Sequence, residues 1–303
     1  MSSGISYLTT YQRKWRIRGL LFIAPAALIL FGIVIYSLFS GIGYAFTDYD
    51  GISSDASYVG LKNFKDIFAD RNFWLIIKNT FIVSGIYIVL LNILAIFLSV
   101  LLMRVGKKFG NFVKSMLYIP CLIAMSIVGF IWRLLYNYNN GLVNGFLKIF
   151  SDDLIQDWLG DPMLVLGSTS ISIVWFALGY YMVIYYAGLV AIPVSYYEVA
   201  DIEGANSFQT FRHVTFPLLA PSITINIVLS SMAILSCFDL PYVLTAGGGP
   251  GYFGTTIAIS VYRLAYVSRQ MGKSFAMAAV LAIISLVIAA IELKILLRKE
   301  VET

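Results

Sequence analysis

The sequence predicts an all-α membrane protein, built as a single domain with six transmembrane helices. Of its 303 residues, 59% are hydrophobic and 12% are charged, and the mean hydropathy is +0.84, which lies outside the range of water-soluble domains. A hydrocarbon core about 30 Å thick requires roughly 20 apolar residues per helical span, and the chain has six such stretches. Strand content should be negligible, because open sheet edges are not tolerated in lipid.

The six predicted spans cover residues 19–46, 74–103, 115–136, 164–192, 222–244 and 275–297. The first span follows a basic patch, but its apolar run is about twice the length of a signal-peptide core, so we interpret it as a retained helix. The fourth is rich in Trp and Tyr, which suit an interface or a polar lining, and the sixth is almost purely aliphatic. Two short interfacial helices are also predicted, at 61–70 and 195–205.

Basic residues predict the orientation, because Lys and Arg in short connections are held on the cytoplasmic side during insertion. They cluster before the first span and after the second, fourth and sixth spans: Arg13, Lys14, Arg16, Arg18, Arg104, Lys107, Lys108, Lys114, Arg212, Arg298 and Lys299. Both termini should therefore be cytoplasmic, with a tail at 1–18, a membrane domain at 19–298 and a tail at 299–303. The net charge of +5 is attributed to this topology and to contact with anionic membrane lipid, so nucleic acid is not an expected partner.

Metal, nucleotide and catalytic sites are not expected. His213 is the only histidine, and Cys121 and Cys237 lack C-x-x-C spacing, so a metal site is not predicted. Gly272-Lys273-Ser274 is similar to the end of a phosphate-binding loop, but Val267 stands where that motif needs a glycine. Because no catalytic triad or carboxylate cluster can be assembled, we expect a chain that is not an enzyme and that holds no cofactor of its own.

A polar elbow at residues 195–221 lies between the fourth and fifth spans. Ser195 and Glu198 have the S-x-x-E spacing of a helix capping box, and Gly204 can adopt the left-handed conformation that closes a helix. A second helix should start at 206 or 207, before two prolines that lead into the fifth span. Spacing alone is equally consistent with an ordinary capped loop.

The elbow resembles the EAA loop of binding-protein-dependent ABC importer permeases, whose pattern begins Glu-Ala-Ala, continues to Asp-Gly-Ala and later reaches a proline. The matching positions are Glu198, Ala200, Gly204, Ala205, Phe208 and Pro217. Val199 and Glu203 are mild departures from the pattern. Four other segments look like the sugar-importer branch, and specifically like its MalF-type (UgpA-like) half, at 18–25, 58–64, 157–161 and 238–250.

This resemblance implies a MetI-like (type I ABC importer) fold in a bacterial or archaeal cell membrane. In that family the permease pairs with a MalG-type sister permease, an ABC ATPase dimer beneath them binds ATP and Mg, and an extracytoplasmic solute-binding protein delivers the carbohydrate. The elbow would then be a knob seated in an ATPase cleft. The residues that this assigns to ATPase coupling are Glu198, Ala200, Asp201, Gly204, Ala205, Phe208, Phe211 and Pro217.

A candidate substrate pathway is expected on the fourth and fifth spans, where polar and aromatic side chains share helix faces. The candidate residues are Phe176 and Tyr180 on the fourth span and Asn226, Ser230, Ile234 and Cys237 on the fifth. By resemblance to the maltose importer, Tyr180, Ser230, Ile234 and Cys237 fall at positions that line its sugar site. The alternative function is an ion-gradient-driven secondary transporter, which would need internal repeats that are not visible between the two halves.

Overall fold

The computed structural model describes residues 15, 18–19, 21–53 and 56–301, and over these residues the chain is built from helices. Strand-type pairing in the described part is limited to one bridge between Thr47 and Tyr58, so the predicted all-α class is confirmed. Arg13, Lys14 and Arg16 of the predicted basic cluster lie outside the described residues.

The helices of the described chain include two short ones at the predicted interfacial positions, α2 and α8. In chain order they are α1 (Leu21–Tyr44), α2 (Lys62–Ala69), α3 (Arg71–Met103), α4 (Lys107–Tyr118, with a 3₁₀ turn at Ile119–Leu122), α5 (Met125–Leu135), α6 (Leu142–Lys148), α7 (Val165–Ala191), α8 (Val194–Ile202), α9 (Ser207–Leu218), α10 (Ala220–Leu235), α11 (Asp239–Leu244), α12 (Ile257–Val267) and α13 (Met271–Val301).

Four helices of the described chain, α1, α3, α7 and α13, are each long and apolar enough to cross a membrane. Two further spans are added if each of two bent helix pairs crosses the membrane as one unit. Helices α4 and α5 meet at 99°, and α9 and α10 meet at 67°. By length and composition the described chain therefore has four to six candidate spans, compared with the six predicted.

The prediction of one continuous third span at 115–136 was wrong. Pro120 lies in the 3₁₀ turn that ends α4, and Ile123 and Ala124 are extended, with ψ of 146° and 133°. Proline has no N–H to continue a helical hydrogen-bond ladder, so the chain tightens into the 3₁₀ turn and restarts as α5. The break lies in the middle of the predicted span.

The predicted fifth span, at 222–244, is also interrupted. Helix α10 ends at Leu235, and the chain resumes as the separate helix α11 at Asp239. Helix α11 packs mainly on α5. Beyond it, the apolar helix α12 lies between the predicted fifth and sixth spans, where the sequence predicts no helix.

Helices α3 and α7 form the most extensive pair and the centre of the core, where Leu91, Ala95, Met182 and Tyr185 are fully buried. Helix α10 packs against α3, α7 and α13. Gly179 lets α4 approach α7 closely, because a methyl group added there would overlap the backbone of α4. Small residues serve the same purpose wherever membrane helices pack backbone to backbone.

Polar side chains of α2 join this helix to the end of α1 and to the start of α13. The Asn63 Nδ2 group donates to the carbonyl oxygens of Ala45 at 2.9 Å and Thr47 at 2.7 Å. Lys273, the lysine of the phosphate-loop-like triplet, lies 3.2 Å from an Asp66 carboxylate oxygen. The triplet therefore takes part in helix packing.

Candidate functional site

The first helix of the elbow, α8, begins directly after Pro193, whose φ of −59° and ψ of 135° lead into a helix. The predicted capping box between Ser195 and Glu198 was wrong, because no side chain caps α8. Proline already fixes the entry conformation and starts the helix at Val194, which places Ser195 inside the first turn. Glu198 is exposed on this helix.

Gly204 ends α8 as predicted. Its φ is +72°, in the left-handed region that glycine adopts without strain. The Gly204 N–H donates to the Asp201 carbonyl at 3.1 Å, and the Ala205 N–H donates to the Ala200 carbonyl at 2.9 Å. These two bonds form a Schellman motif, which closes the helix and turns the chain sharply.

The predicted second start is confirmed, and a capping box lies at this point. Asn206 Oδ1 accepts hydrogen bonds from the N–H groups of Phe208 and Gln209, each at 3.0 Å. Gln209 Oε1 accepts in return from the Asn206 N–H at 2.8 Å. The elbow is therefore two short helices joined at a glycine and an asparagine, with both helix ends at the junction satisfied.

The outward surface of the elbow carries large apolar side chains. Ile202 is 84% exposed, Phe208 is 71% exposed and Val199 is 58% exposed. Ala200, on the opposite face of α8, is buried. A polar loop with this much exposed apolar surface is typical of a protein interaction site.

Behind the elbow lies a cleft of about 320 Å³, bounded by the ends of α3 and α7. Its lining includes Asp201, Ala205 and Phe211, together with Arg104 and Tyr197. Glu198, Gly204 and Phe208 do not line this cleft and are exposed, whereas Pro217 lies in α9 shortly before the 67° bend. Arg104 was not expected here, because a sequence does not show which helix end lies beneath an elbow.

A second cavity, of about 240 Å³, lies between helices α3, α5, α7 and α10. Four of the six candidate pathway residues line it, namely Phe176, Tyr180, Ile234 and Cys237. Tyr180 is 43% exposed, and its ring stacks edge to face on Tyr181 with centroids 5.1 Å apart. The structure thus brings together side chains that lie more than fifty positions apart in sequence.

Several side chains in this cavity were not among the predicted pathway residues: Tyr87, Cys121, Met125, Ile173, Ala177, Tyr181 and Ala233. Tyr87, Cys121 and Met125 come from the second and third spans, and periodicity within one helix does not reveal which other helices face it. Tyr181 was visible in the sequence only as a member of a tyrosine run. Cys121 and Cys237 are free thiols on the wall of the same cavity.

The other two candidates, Asn226 and Ser230, do not line the cavity. Both are fully buried. Asn92 Nδ2 donates to Ser230 Oγ at 3.3 Å, and the Tyr185 hydroxyl donates to Asn92 Oδ1 at 2.6 Å. Asn226 forms no well-directed side-chain hydrogen bond among the described residues. In this conformation Asn226 and Ser230 belong to a buried polar layer between α3, α7 and α10.

Two loops are held by local hydrogen bonds. The glycine-rich segment 247–251 is a turn, as predicted, and the Gly248 N–H donates to Thr245 Oγ1 at 2.9 Å. Before α2, the backbone N–H groups of Ile52 and Ser53 donate to Asp50 and lower the pKa of this carboxyl to about 2.

Within the described ranges, no three His, Cys, Asp or Glu side chains are grouped as metal ligands.

Comparisons with known proteins identify the family. Residues 92–296 match the binding-protein-dependent transport system inner membrane component family. The chain is 35% identical over 287 residues to the probable starch degradation products transport system permease protein AmyD of Thermoanaerobacterium thermosulfurigenes, covering 93% of this chain and 94% of the relative. It is 34% identical over 209 residues to the trehalose/maltose transport system permease protein MalF of Thermococcus litoralis, covering 69% of each chain.

A solved bacterial alginate ABC transporter, in complex with an alginate pentasaccharide-bound periplasmic protein, contains a chain of the same fold. The TM-score is 0.82 at 24% identity, covering 96% of this chain and 97% of that one. Family membership selects the ABC permease over the gradient-driven alternative, and the catalytic ATPase is a separate subunit in this family. The chain therefore belongs to the binding-protein-dependent transport system inner membrane component family, the multi-pass permease subunits of ABC importers.

Proposed function

We propose that this chain is the MalF-type half of the translocation pathway of an ATP-driven carbohydrate importer. The observation that carries the substrate class is the set of relatives, whose names refer to starch degradation products, to trehalose and maltose, and to diacetylchitobiose. The other half of the pathway is a MalG-type sister permease. An extracytoplasmic solute-binding protein delivers the sugar to the pair.

The proposed topology has six spans, with each bent pair forming one crossing and both termini in the cytoplasm. The distribution of Lys and Arg supports this orientation. The domain limits are a tail at 1–18, a permease domain at 19–298 and a tail at 299–303. The elbow, at 195–221, then faces the cytoplasm.

We infer that the elbow is the coupling segment for a separate ATPase subunit. Val199, Ile202 and Phe208 project from a segment whose backbone is fixed by the Schellman motif and the Asn206 capping box. Burial of side chains of this size contributes about 1.5–3 kcal/mol each, and a pre-organised knob loses little entropy on docking. ATP and Mg bind to the ATPase dimer, whose closure pulls the elbow and rocks the spans between inward-open and outward-open states.

The membrane cavity is the proposed carbohydrate site. Its walls are apolar and aromatic, and the exposed ring of Tyr180 offers a flat face to the apolar side of a sugar ring. Asn226 and Ser230 remain pathway candidates that would reach the sugar only after a rearrangement of the buried layer.

The test is reconstitution of the chain in proteoliposomes with its sister permease and ATPase dimer. We expect a carbohydrate presented by the binding protein to stimulate ATP hydrolysis, and its uptake to stop without ATP while surviving an ionophore that collapses ion gradients. Uptake that needs no ATP, or that the ionophore abolishes, would contradict the proposal. A panel of sugars in the same assay identifies the substrate.

A further inference from the structure

Glu292 is the only acidic residue that the described chain places within the apolar ranges 21–44, 71–103, 165–191 and 271–296 or within its two bent helix pairs. An ionisable side chain at membrane depth is costly, and it is usually turned toward the protein interior and paired. Glu292 lies in α13, which otherwise presents aliphatic side chains over most of its length. A carboxyl group at this position therefore needs a specific partner.

That partner is Ser231 of α10. The Ser231 hydroxyl donates to Glu292 Oε2 at 2.6 Å, a distance typical of hydrogen bonds to a charged acceptor. Ser231 is fully buried. The preceding residue, Ser230, makes its own contact with Asn92 of α3. Because successive helical residues point about 100° apart, the two serines join α10 to different neighbours.

The contact is connected to the elbow through α10, across the 67° bend between α9 and α10. Helix α9 ends at Leu218, and α10, which carries Ser231, begins at Ala220. Among the described residues, no other side-chain hydrogen bond or ion pair joins α10 to α13. A short hydrogen bond fixes the two helices in one register, since a slip of one helical turn would move its ends about 5.4 Å apart.

We propose that Ser231 and Glu292 form a latch that makes α10 and α13 move as one body when the elbow is pulled. They are positioning residues for transport, and the inference rests on the proposed coupling function. The latch does not require a negative charge. A glutamine at position 292 offers an amide oxygen that accepts from the same hydroxyl. A leucine offers no acceptor, so the buried Ser231 hydroxyl can then donate only to its own helix.

The first test measures carbohydrate uptake per ATP hydrolysed in the reconstituted complex. Glu292→Leu and Ser231→Ala are expected to lower this ratio about tenfold, the effect of losing one buried hydrogen bond. Glu292→Gln should stay within about twofold, because it keeps the acceptor. Ser236→Ala is the matched control, since the Ser236 hydroxyl bonds only within its own stretch of chain.

The latch is overturned if Glu292→Leu keeps the wild-type ratio, or if uptake, hydrolysis and thermal stability fall together in Glu292→Leu and Glu292→Gln alike. Loss of ATP-driven uptake by the wild-type complex would instead contradict the proposed function, which separates the two failures.

A second test replaces the hydrogen bond with a covalent link. In Ser231→Cys/Glu292→Cys the bond is lost, and a short bifunctional maleimide that joins α10 to α13 should raise uptake per ATP hydrolysed from the lowered ratio of the unlinked variant to within about twofold of wild type, because a latch holds the same register throughout the cycle. Each single-cysteine variant, treated in the same way, controls for the native thiols. Inhibition by the cross-link alone would mean that the two helices slide past each other, and would overturn the proposal.

Discussion

Tyr180 has the most exposed aromatic ring in the membrane cavity, since Tyr87, Phe176 and Tyr181 are all buried. We expect Tyr180→Ala to raise the KM for uptake about twofold to tenfold, in line with a stacking contribution of about 0.5–1.5 kcal/mol. Tyr180→Phe keeps the ring and should stay near wild type. The measurement is the concentration dependence of uptake at equal protein yield.

Equal loss of complex assembly in Tyr180→Ala, seen by co-purification with the ATPase, would mean that the ring is structural. An unchanged KM in a well-assembled complex would remove Tyr180 from the sugar site.

Spacing along one helix predicts which residues share a face of that helix, but not which other helices that face contacts. Phe176 and Tyr180 share one helix face in the structure, because i, i+4 spacing is a local property. Ser230 and Asn226 are turned into a buried layer with Asn92 and Tyr185, which depends on how three helices pack. A spacing rule within one helix carries no information about that packing.

In the elbow, two candidate capping residues can be compared directly: Asn206, which caps α9, and Ser195, which caps no helix. Asn206→Ala removes the acceptor for two backbone N–H groups, which should destabilise the start of α9 by about 1 kcal/mol. Hydrogen exchange at the Phe208 and Gln209 amides should then quicken about fivefold. Ser195→Ala is the matched control, because Ser195 caps nothing, and its neighbouring amides should exchange as in wild type.

Faster exchange in α8 after Ser195→Ala, with α9 unchanged by Asn206→Ala, would reverse this assignment of the capping box. It would restore the sequence-based prediction that the box lies at Ser195 and Glu198.

The contact between α4 and α7 tests how closely the spans pack. Gly179→Ala would drive a methyl group into the Leu117 carbonyl oxygen, and backbone yields far less readily than a side chain. We expect a loss of about 1–3 kcal/mol of stability, as for other overpacked cores. Gly167→Ala, on the same helix with open space around it, should unfold as wild type does. Thermal unfolding in detergent compares the two variants, and equal melting temperatures would contradict the close contact.

The predicted spans missed two breaks between helices, one after α4 and one after α10. Hydropathy locates an apolar stretch but does not distinguish a straight span from two helices bent by 99°. Pro120 was a visible signal for the first break. Ser236, Cys237 and Phe238 give no comparable signal for the interruption after α10, where packing of α11 on α5 decides the geometry.

At the scale of the whole molecule, composition was sufficient to predict a helical membrane protein, because a bilayer admits so few backbone solutions. Hydropathy, together with the positions of proline and glycine, predicted where the apolar stretches and the elbow lie along the chain. These signals did not predict which helices pack against one another. Contacts such as that between α3 and α7, or between Ser231 and Glu292, join positions far apart in sequence and arise only when the helices assemble.

The proposed transmission of ATPase movement through the elbow to the spans can be probed at Gly204. A valine at φ +72° is strained by about 1–2 kcal/mol, while the surrounding space is open, so Gly204→Val changes the turn without creating a steric overlap. Gly85→Ala, also in open space but inside α3, is the matched control.

The decisive measurement is carbohydrate uptake per ATP hydrolysed in proteoliposomes. For Gly204→Val we expect this ratio to fall about tenfold while ATP hydrolysis and membrane insertion persist, and for Gly85→Ala we expect the wild-type ratio. A wild-type ratio in Gly204→Val at normal expression would contradict the account.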